Sequence, residues 1–166
     1  MDKISIKENR TIMRKSALLL LLLIGICYHA AGQAVEPNPN DSWKKRSKAG
    51  DAFMKKGDYS SATAHYISAL KDKSKKKELA FKAGEAAFKA HRYDDLVFAL
   101  KGIKNENKKY PKAKFYYAMG LKAKGFYEEA AVEFDAFSDI YRGDDYQTYG
   151  DWATREMQGC AVAKET

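Results

Sequence analysis

Cysteine and proline are both scarce in this chain of 166 residues, which has two cysteines and three prolines. Only Cys160 lies beyond residue 32, so a chain that has lost its first 32 residues could form no internal disulfide. A lone cysteine on a helix is usually a small buried apolar residue, and we expect this of Cys160. Pro37 and Pro39 fall in residues 33–42, for which we expect a flexible linker rather than a helix.

Histidine is also rare, and the sequence has no recognisable catalytic constellation. Beyond residue 32 the histidines are His65 and His91, and there is no Cys-x-x-Cys pair, no His-x-x-x-His pair and no glycine-rich phosphate loop. The paired acids at 94–95, 128–129 and 144–145 fall at predicted helix starts, where a negative charge favours the helix dipole. We therefore predict a protein that is not an enzyme and takes no cofactor, no metal and no small-molecule substrate.

The chain has one long apolar run, residues 17–26, and it is too short to span a bilayer, which takes about 20 residues. A basic segment precedes the run, and a small-x-small end, Ala30 and Gly32, follows it. This order is typical of a secretory signal peptide at residues 1–32, cut after Gly32. Two alternatives stay open: a retained anchor, and a lipoprotein modified at Cys27. The second is disfavoured because Ile26 stands where a small residue is expected.

Positive charge is unevenly distributed. The whole chain carries a net charge of +8; without residues 1–32, which hold five basic and two acidic residues, 25 basic and 20 acidic residues remain, a net of +5. Residues 41–77 hold eleven basic and four acidic side chains, whereas residues 126–166 hold three and ten. This polarity either steers an acidic partner to the basic end or only keeps an exported protein soluble. Export and the lack of an aromatic-basic stacking platform argue against nucleic acid as a partner.

The strongest pattern is a repeat of 34 residues. It is marked by Tyr59, Tyr93 and Tyr127, which lie 34 residues apart. Five further columns keep the same register: Gly57, His91 and Gly125; Ala62, Leu96 and Ala130; Tyr66, Leu100 and Phe134; Ala69, Ile103 and Phe137; and Gly50, Gly84 and Ala118. In this period and these offsets the chain resembles the tetratricopeptide repeat (TPR) superfamily. The resemblance implies a recognition scaffold.

Each repeat is expected to form two helices, A and B, joined at the corner that precedes the repeated tyrosine. The first repeat, residues 43–76, is predicted to contain helices 43–56 and 59–71. The second repeat, residues 77–110, contains predicted helices 77–90 and 93–103. The third repeat, residues 111–143, contains predicted helices 111–124 and 126–141. A last amphipathic helix at about 146–163, within residues 144–166, has a stripe consisting of Tyr146, Tyr149, Ala153, Met157 and Cys160. The predicted fold is all-α: a right-handed superhelix of three helix-turn-helix repeats plus a C-terminal capping helix.

Small residues at fixed repeat positions indicate how the helices pack. Gly50 and Gly84 should let the paired helices approach closely, because a side chain at either position would hold them apart. In the third repeat this position is Ala118, whose methyl group is small enough to be accommodated. The repeated tyrosine can cover the end of a helix pair while keeping its hydroxyl in water.

The A helices of a TPR array line its concave face, and we expect their second, fifth, ninth and twelfth positions to face the groove. These positions are Lys44, Ser47, Asp51 and Met54; Glu78, Phe81, Glu85 and Phe88; and Lys112, Phe115, Met119 and Lys122. The functional interpretation is that these side chains form a groove that binds a helix or an extended segment of a protein partner. The alternative is that the aromatic residues pack between neighbouring A helices, or against a further part of a longer chain. Ser47 and Asp51 stand where a chaperone-binding carboxylate clamp needs lysine and asparagine, which disfavours capture of a C-terminal carboxylate.

Two stretches, YPKAKFYYAMGLKAKGFYEEA at 110–130 and ATREMQGCA at 153–161, resemble the N-terminal TPR segment of a Bacteroidetes envelope family. In that family the segment precedes a WD40-like propeller and, usually, a peptidoglycan-binding domain like that of outer membrane protein A; some members serve type IX secretion and gliding. The resemblance implies an exported periplasmic scaffold in an outer-membrane complex. This chain ends at Thr166, about where the propeller would begin. A free-standing adaptor, a spacer or self-association module, and a truncated fragment all remain open.

Overall fold

A computed structural model describes residues 34–165, with side chains described to residue 163. The predicted signal peptide and its cleavage site lie outside the described residues. Within residues 34–165 the structure contains α-helices and no strand, which confirms the predicted all-α class.

Seven helices follow one another in the described part of the chain. They are α1 (Trp43–Lys56), α2 (Tyr59–Asp72), α3 (Lys77–Lys89), α4 (Tyr93–Leu100), α5 (Ala113–Ala123), α6 (Tyr127–Ile140) and α7 (Tyr146–Glu165). All seven correspond to predicted helices. The largest difference is at α4, which ends at Leu100 rather than at 103 because the chain turns there, with the Ile103 N–H donating to the Leu100 carbonyl at 2.9 Å. Similarly, α5 begins two residues after Pro111.

Side chains cap the first two helices. The Ser42 hydroxyl accepts a hydrogen bond from the Lys45 N–H at 3.3 Å at the start of α1. The Asp58 carboxylate caps α2 by accepting from the N–H of Ser61 at 3.0 Å and from its hydroxyl at 2.7 Å. Both contacts satisfy N–H groups that a helix leaves without an internal partner.

The corners between paired helices share one backbone conformation. Gly57 has φ of 75°, His91 of 55° and Gly125 of 83°, all in the left-handed region. A residue in this conformation ends a helix and redirects the chain, and glycine adopts it without strain. The three breaks therefore fall at the predicted glycine and histidine positions.

The helices form two layers. Each helix packs against the next one along the chain; in addition α3 contacts α5, α5 contacts α7, and α2 contacts α4. Helices α3, α5 and α7 therefore lie in one layer, which α1 joins through the hydrogen bond from Lys82 of α3 to Asp51 of α1, and α2 and α4 lie in the other. The core between the layers holds fully buried side chains, among them Tyr66, Leu96, Leu100, Phe115 and Phe134.

Close approach of the paired helices depends on glycine, as the sequence predicted. A methyl group on Gly50 would lie 2.7 Å from the Tyr66 ring, and one on Gly84 would lie 2.5 Å from Leu100 Cγ. Ala118, in the same column, is fully buried. The pairing of each small residue with the large residue sixteen positions later explains why the two columns recur together.

Ala62 and Ala130 are also fully buried on α2 and α6, whereas Tyr59, Tyr93 and Tyr127 are partly buried at the start of their helices. This matches the expectation that the repeated tyrosine covers the end of a helix pair without losing contact with water.

Candidate functional site

The predicted groove positions of α1 and α3 remain accessible. Lys44 and Glu78 are exposed. The other positions on these helices are partly exposed: Ser47, Asp51 and Met54 on α1, and Phe81, Glu85 and Phe88 on α3. Since α1 and α3 belong to the same layer, these side chains form the part of the predicted groove that is open to a partner.

Asp51 is held in place by two donors. Its Oδ1 accepts a hydrogen bond from the Tyr66 hydroxyl at 2.7 Å and from Lys82 Nζ at 3.0 Å. Partial burial alone would raise the pKa of Asp51, but the hydrogen bonds from Tyr66 and Lys82 outweigh it and hold the pKa below its ordinary value. Burial together with the Asp51 carboxylate raises the pKa of the Tyr66 phenol. Asp51 is therefore a fixed negative charge at neutral pH.

Salt bridges also hold the charged side chains of α3. Lys82 Nζ lies 3.7 Å from Glu78 Oε1, and Lys89 Nζ lies 3.1 Å from Glu85 Oε1, each pair one helical turn apart. Such exposed pairs contribute little to stability. These pairs do fix the positions of the positive and negative groups along the open face.

Each aromatic side chain of α3 stacks on a ring that lies later in the chain, on α5 or in the loop before it. Phe81 stacks on Tyr110 with ring centroids 5.0 Å apart, and Phe88 stacks on Tyr116 at 4.6 Å. Trp152 of α7 lies 6.2 Å from the Phe88 ring. These contacts fix the orientation of both phenylalanines while leaving each partly exposed, which suits side chains that must present a preformed apolar surface.

The prediction that Phe115 lines the groove is wrong. Phe115 is fully buried. Its ring packs against Phe134 and Phe137 of α6 and, at 5.1 and 4.7 Å, against Tyr149 and Trp152 of α7. The ring therefore packs between α5, its paired helix α6 and the last helix. The contact between neighbouring predicted A helices is made instead by Phe88 with Tyr116.

Helix α7 covers the groove side of α5. Lys112 binds Asp145, just before α7, and its Nζ lies 4.1 Å from the centre of the Tyr149 ring. Lys122 Nζ donates to Glu156 Oε2 at 2.7 Å. Lys112, Lys122 and Met119 are only partly exposed, and both lysines are occupied by α7. The open site is therefore narrower than the sequence predicted, and it lies on α1 and α3.

One polar cluster was missed by the sequence interpretation. The ammonium of Lys114, a side chain that is 7% exposed, donates to Glu133 Oε2 at 3.1 Å and to Asn105 Oδ1 at 2.9 Å. Lys104 also binds Glu133, and its Nζ lies 4.8 Å from the centre of the Tyr117 ring. Burial alone would raise the pKa of Glu133, but the two lysines outweigh it and hold the pKa below its ordinary value. No local spacing marks this cluster, since its members come from separate elements.

Comparisons of this chain with family models, with curated proteins and with solved structures each give no match. Among residues 34–165, no helix combines the length and the apolar character that crossing a membrane requires.

Proposed function

We infer that this chain is a TPR scaffold, exported to the cell envelope, that holds a segment of a protein partner against α1 and α3. In this proposal residues 43–76, 77–110 and 111–143 are three TPR units of a right-handed superhelix, and α7 is its capping helix. The observation that carries the proposal is the recurrence, every 34 residues, of a helix hairpin with a left-handed corner and a matched small-large packing pair. Repeat arrays of this kind present extended surfaces to partners.

The chemistry of the open face favours a peptide-like occupant. Met54, Phe81 and Phe88 supply partly exposed apolar surface, and Asp51 and Glu85 supply fixed charges beside it. An amphipathic helix or an extended segment of a partner presents apolar and polar side chains next to each other, and these could contact the apolar and the charged side chains of this face. We propose binding without bond-making chemistry, and no cofactor is part of the mechanism.

Site-specific photo-crosslinking in envelope extracts tests the location of the site. A photo-crosslinking residue in place of Ser47 or Glu85 should capture the partner, because both positions lie on the open face. The same residue in place of Phe98, which is 53% exposed on α4 in the other layer, should not capture it. Equal capture from both layers, or capture from Phe98 alone, would contradict the assignment.

A matched pair of substitutions tests the apolar part of the site. Phe81→Ala removes a ring from the open face, and we expect capture of that cross-linked partner to fall about tenfold, the usual cost of truncating an interface anchor. Phe98→Ala removes an exposed ring of the same kind from the other layer and should leave capture unchanged. Circular dichroism checks that both variants keep their helices. Phe115→Ala is not a useful test, since its ring lies in the core.

A further inference from the structure

The exposed side of α1 carries an unusual concentration of lysine. Lys44, Lys48 and Lys55 are exposed and lie at positions i, i+4 and i+11, which is one side of a helix. None of the three forms a salt bridge among the described residues, although the charge of Lys55 helps to lower the pKa of Asp51, one helical turn before it. Exposed Ala52 lies beside them. We call these four residues the lysine face.

The loop between α2 and α3 extends this positive surface at the start of α1. Lys76 Nζ lies 5.3 Å from the centre of the Trp43 ring, and Lys44 Nζ lies 5.9 Å from the same ring. The loop therefore lies beside the lysine face, and it adds exposed Lys73 and Lys75, which also have no acidic partner among the described residues.

The exposed side of α6 has the opposite charge. Glu129, Asp135 and Asp139 are exposed on this helix and have no basic partner among the described residues. Val132, 67% exposed, lies among them. We call these four residues the acidic face.

The rest of the chain contrasts with these two faces. Between them, most lysines of α3 and α5 and of the segments beside these helices form ion pairs within the chain. The pairs are Lys77–Glu106, Lys82–Asp51, Lys89–Glu85, Lys104–Glu133, Lys112–Asp145, Lys114–Glu133, Lys122–Glu156 and Lys124–Asp94. The lysine face and the acidic face are therefore surfaces of opposite sign whose exposed charges form no salt bridge within the described residues, one on the first helix and one on the sixth.

We propose that the lysine face of one copy docks on the acidic face of a second copy of this chain. Complementary charge gives such a contact its orientation and its speed of formation. Val132 gives the acidic face an apolar centre within a charged rim, the arrangement found in protein interfaces, and the small side chain of Ala52 leaves room opposite it. Because every copy carries both faces, these contacts produce either a closed dimer or an open filament of many copies. The lysine face shares Lys44 with the predicted groove, but neither face includes the open apolar side chains of α3, so this contact does not require a partner in the groove.

Sedimentation of the purified full chain over a range of concentrations tests this association. We expect species larger than one copy at about 0.1 M salt and a dissociation constant at least about tenfold higher at about 1 M salt, where the screening length falls from about 10 Å to about 3 Å. Lys48→Glu with Lys55→Glu should abolish association. Asp135→Lys with Asp139→Lys should abolish it as well.

The decisive measurement mixes the two reversed variants. Each variant alone has two faces of the same sign, but the negative α1 of one complements the positive α6 of the other. An equimolar mixture should therefore associate as the original chain does. A matched control, Lys101→Glu with Lys108→Glu, changes net charge equally at exposed lysines outside both faces and should associate normally.

Three outcomes would overturn the proposal: a single copy at every concentration, two variants that fail to rescue each other while each keeps its helical circular dichroism, or loss of association in the control. Binding of the lysine face to vesicles of anionic lipid by a chain that stays a single copy would likewise reject the second copy as its occupant. A failed groove experiment would leave these results unchanged, so the two proposals are tested separately.

Discussion

Gly84 shows at the scale of one residue how the helix pairs are held together. Its missing side chain gives room to Leu100, whose Cγ would lie 2.5 Å from an added methyl group. We predict that Gly84→Ala lowers the free energy of unfolding by about 1–3 kcal/mol, the usual cost of overpacking a core. Gly102→Ala is the matched control: nothing lies within 4 Å of its added methyl group, so the change should be within about 0.5 kcal/mol. Urea unfolding of both variants measures the difference, and equal effects would contradict the packing role.

Glu133 is the second residue whose role can be tested, through stability and its dependence on pH. We predict that Glu133→Gln lowers the free energy of unfolding by about 2 kcal/mol at neutral pH, because the buried Lys114 loses its counter-charge. The folded-state pKa of Glu133 lies below its ordinary value. Its contribution is therefore present above the pKa of an unfolded glutamate and is lost as pH falls through the folded-state pKa.

The measurement for Glu133 is urea unfolding at several pH values. The difference between the original chain and Glu133→Gln should narrow below about pH 4. Glu106→Gln is the control, since Glu106 is 39% exposed in its pair with Lys77 and should contribute under about 1 kcal/mol. A difference that stays constant into the acid range would show that the ionised carboxylate is not what stabilises this cluster.

Phe115 marks the limit of what single positions in the sequence could predict. Its position in the repeat predicted that Phe115 lies on the groove face of α5, and α5 does belong to the predicted layer. However, the repeat pattern contains no information about Tyr149 and Trp152 of α7, which pack against the Phe115 ring. The Glu133 cluster was missed for a related reason, since its lysines come from outside α6 and only the fold brings them together.

At the scale of helices, the hairpin corners were predictable because their conformation is set locally. His91 has φ of 55° and fills the place that glycine fills at the other two corners. We predict that His91→Gly raises the free energy of unfolding by about 0.5 kcal/mol, because relief of left-handed strain exceeds the added freedom of the unfolded chain. Gly125→Ala should lower it by about 1 kcal/mol, since alanine is strained at φ of 83°. Thermal unfolding measures both, and changes of the same sign would reject this explanation of the corners.

Helix ends were predicted less exactly than corners. Helix α4 stops at Leu100 because the chain turns before Ile103, and α5 starts after a turn that includes Pro111. In contrast, α1 begins at Trp43 as predicted, where the Ser42 hydroxyl caps the helix. A side-chain cap is not required for a boundary to be predictable, because α3 and α4 also begin at the predicted residues and have none.

At the scale of the whole molecule, the helices of one layer differ in how much of the predicted groove they leave accessible. The groove positions of α1 and α3 remain accessible, whereas α7 covers those of α5. The lysine face lies beside the groove positions of α1 and shares Lys44 with them. The sequence predicted that this layer would be the recognition surface. It did not predict that the last helix would cover one of its three groove helices, because the contacts of Tyr149 and Trp152 with Phe115 exist only in the folded chain.

The proposed export of this chain depends on residues 1–32, which give the last prediction. Export with cleavage after Gly32 should produce a chain that begins at Gln33, because signal peptidase accepts small residues such as Ala30 and Gly32 at its two binding pockets. Mass spectrometry of the periplasmic fraction measures the new N-terminus. Gly32→Arg should leave residues 1–32 attached, whereas Gln33→Glu, one residue beyond the cut, should be processed normally. Recovery of the intact chain in the cytoplasm, or of a chain cut before a lipid-modified Cys27, would require a different account of how the scaffold reaches its partner.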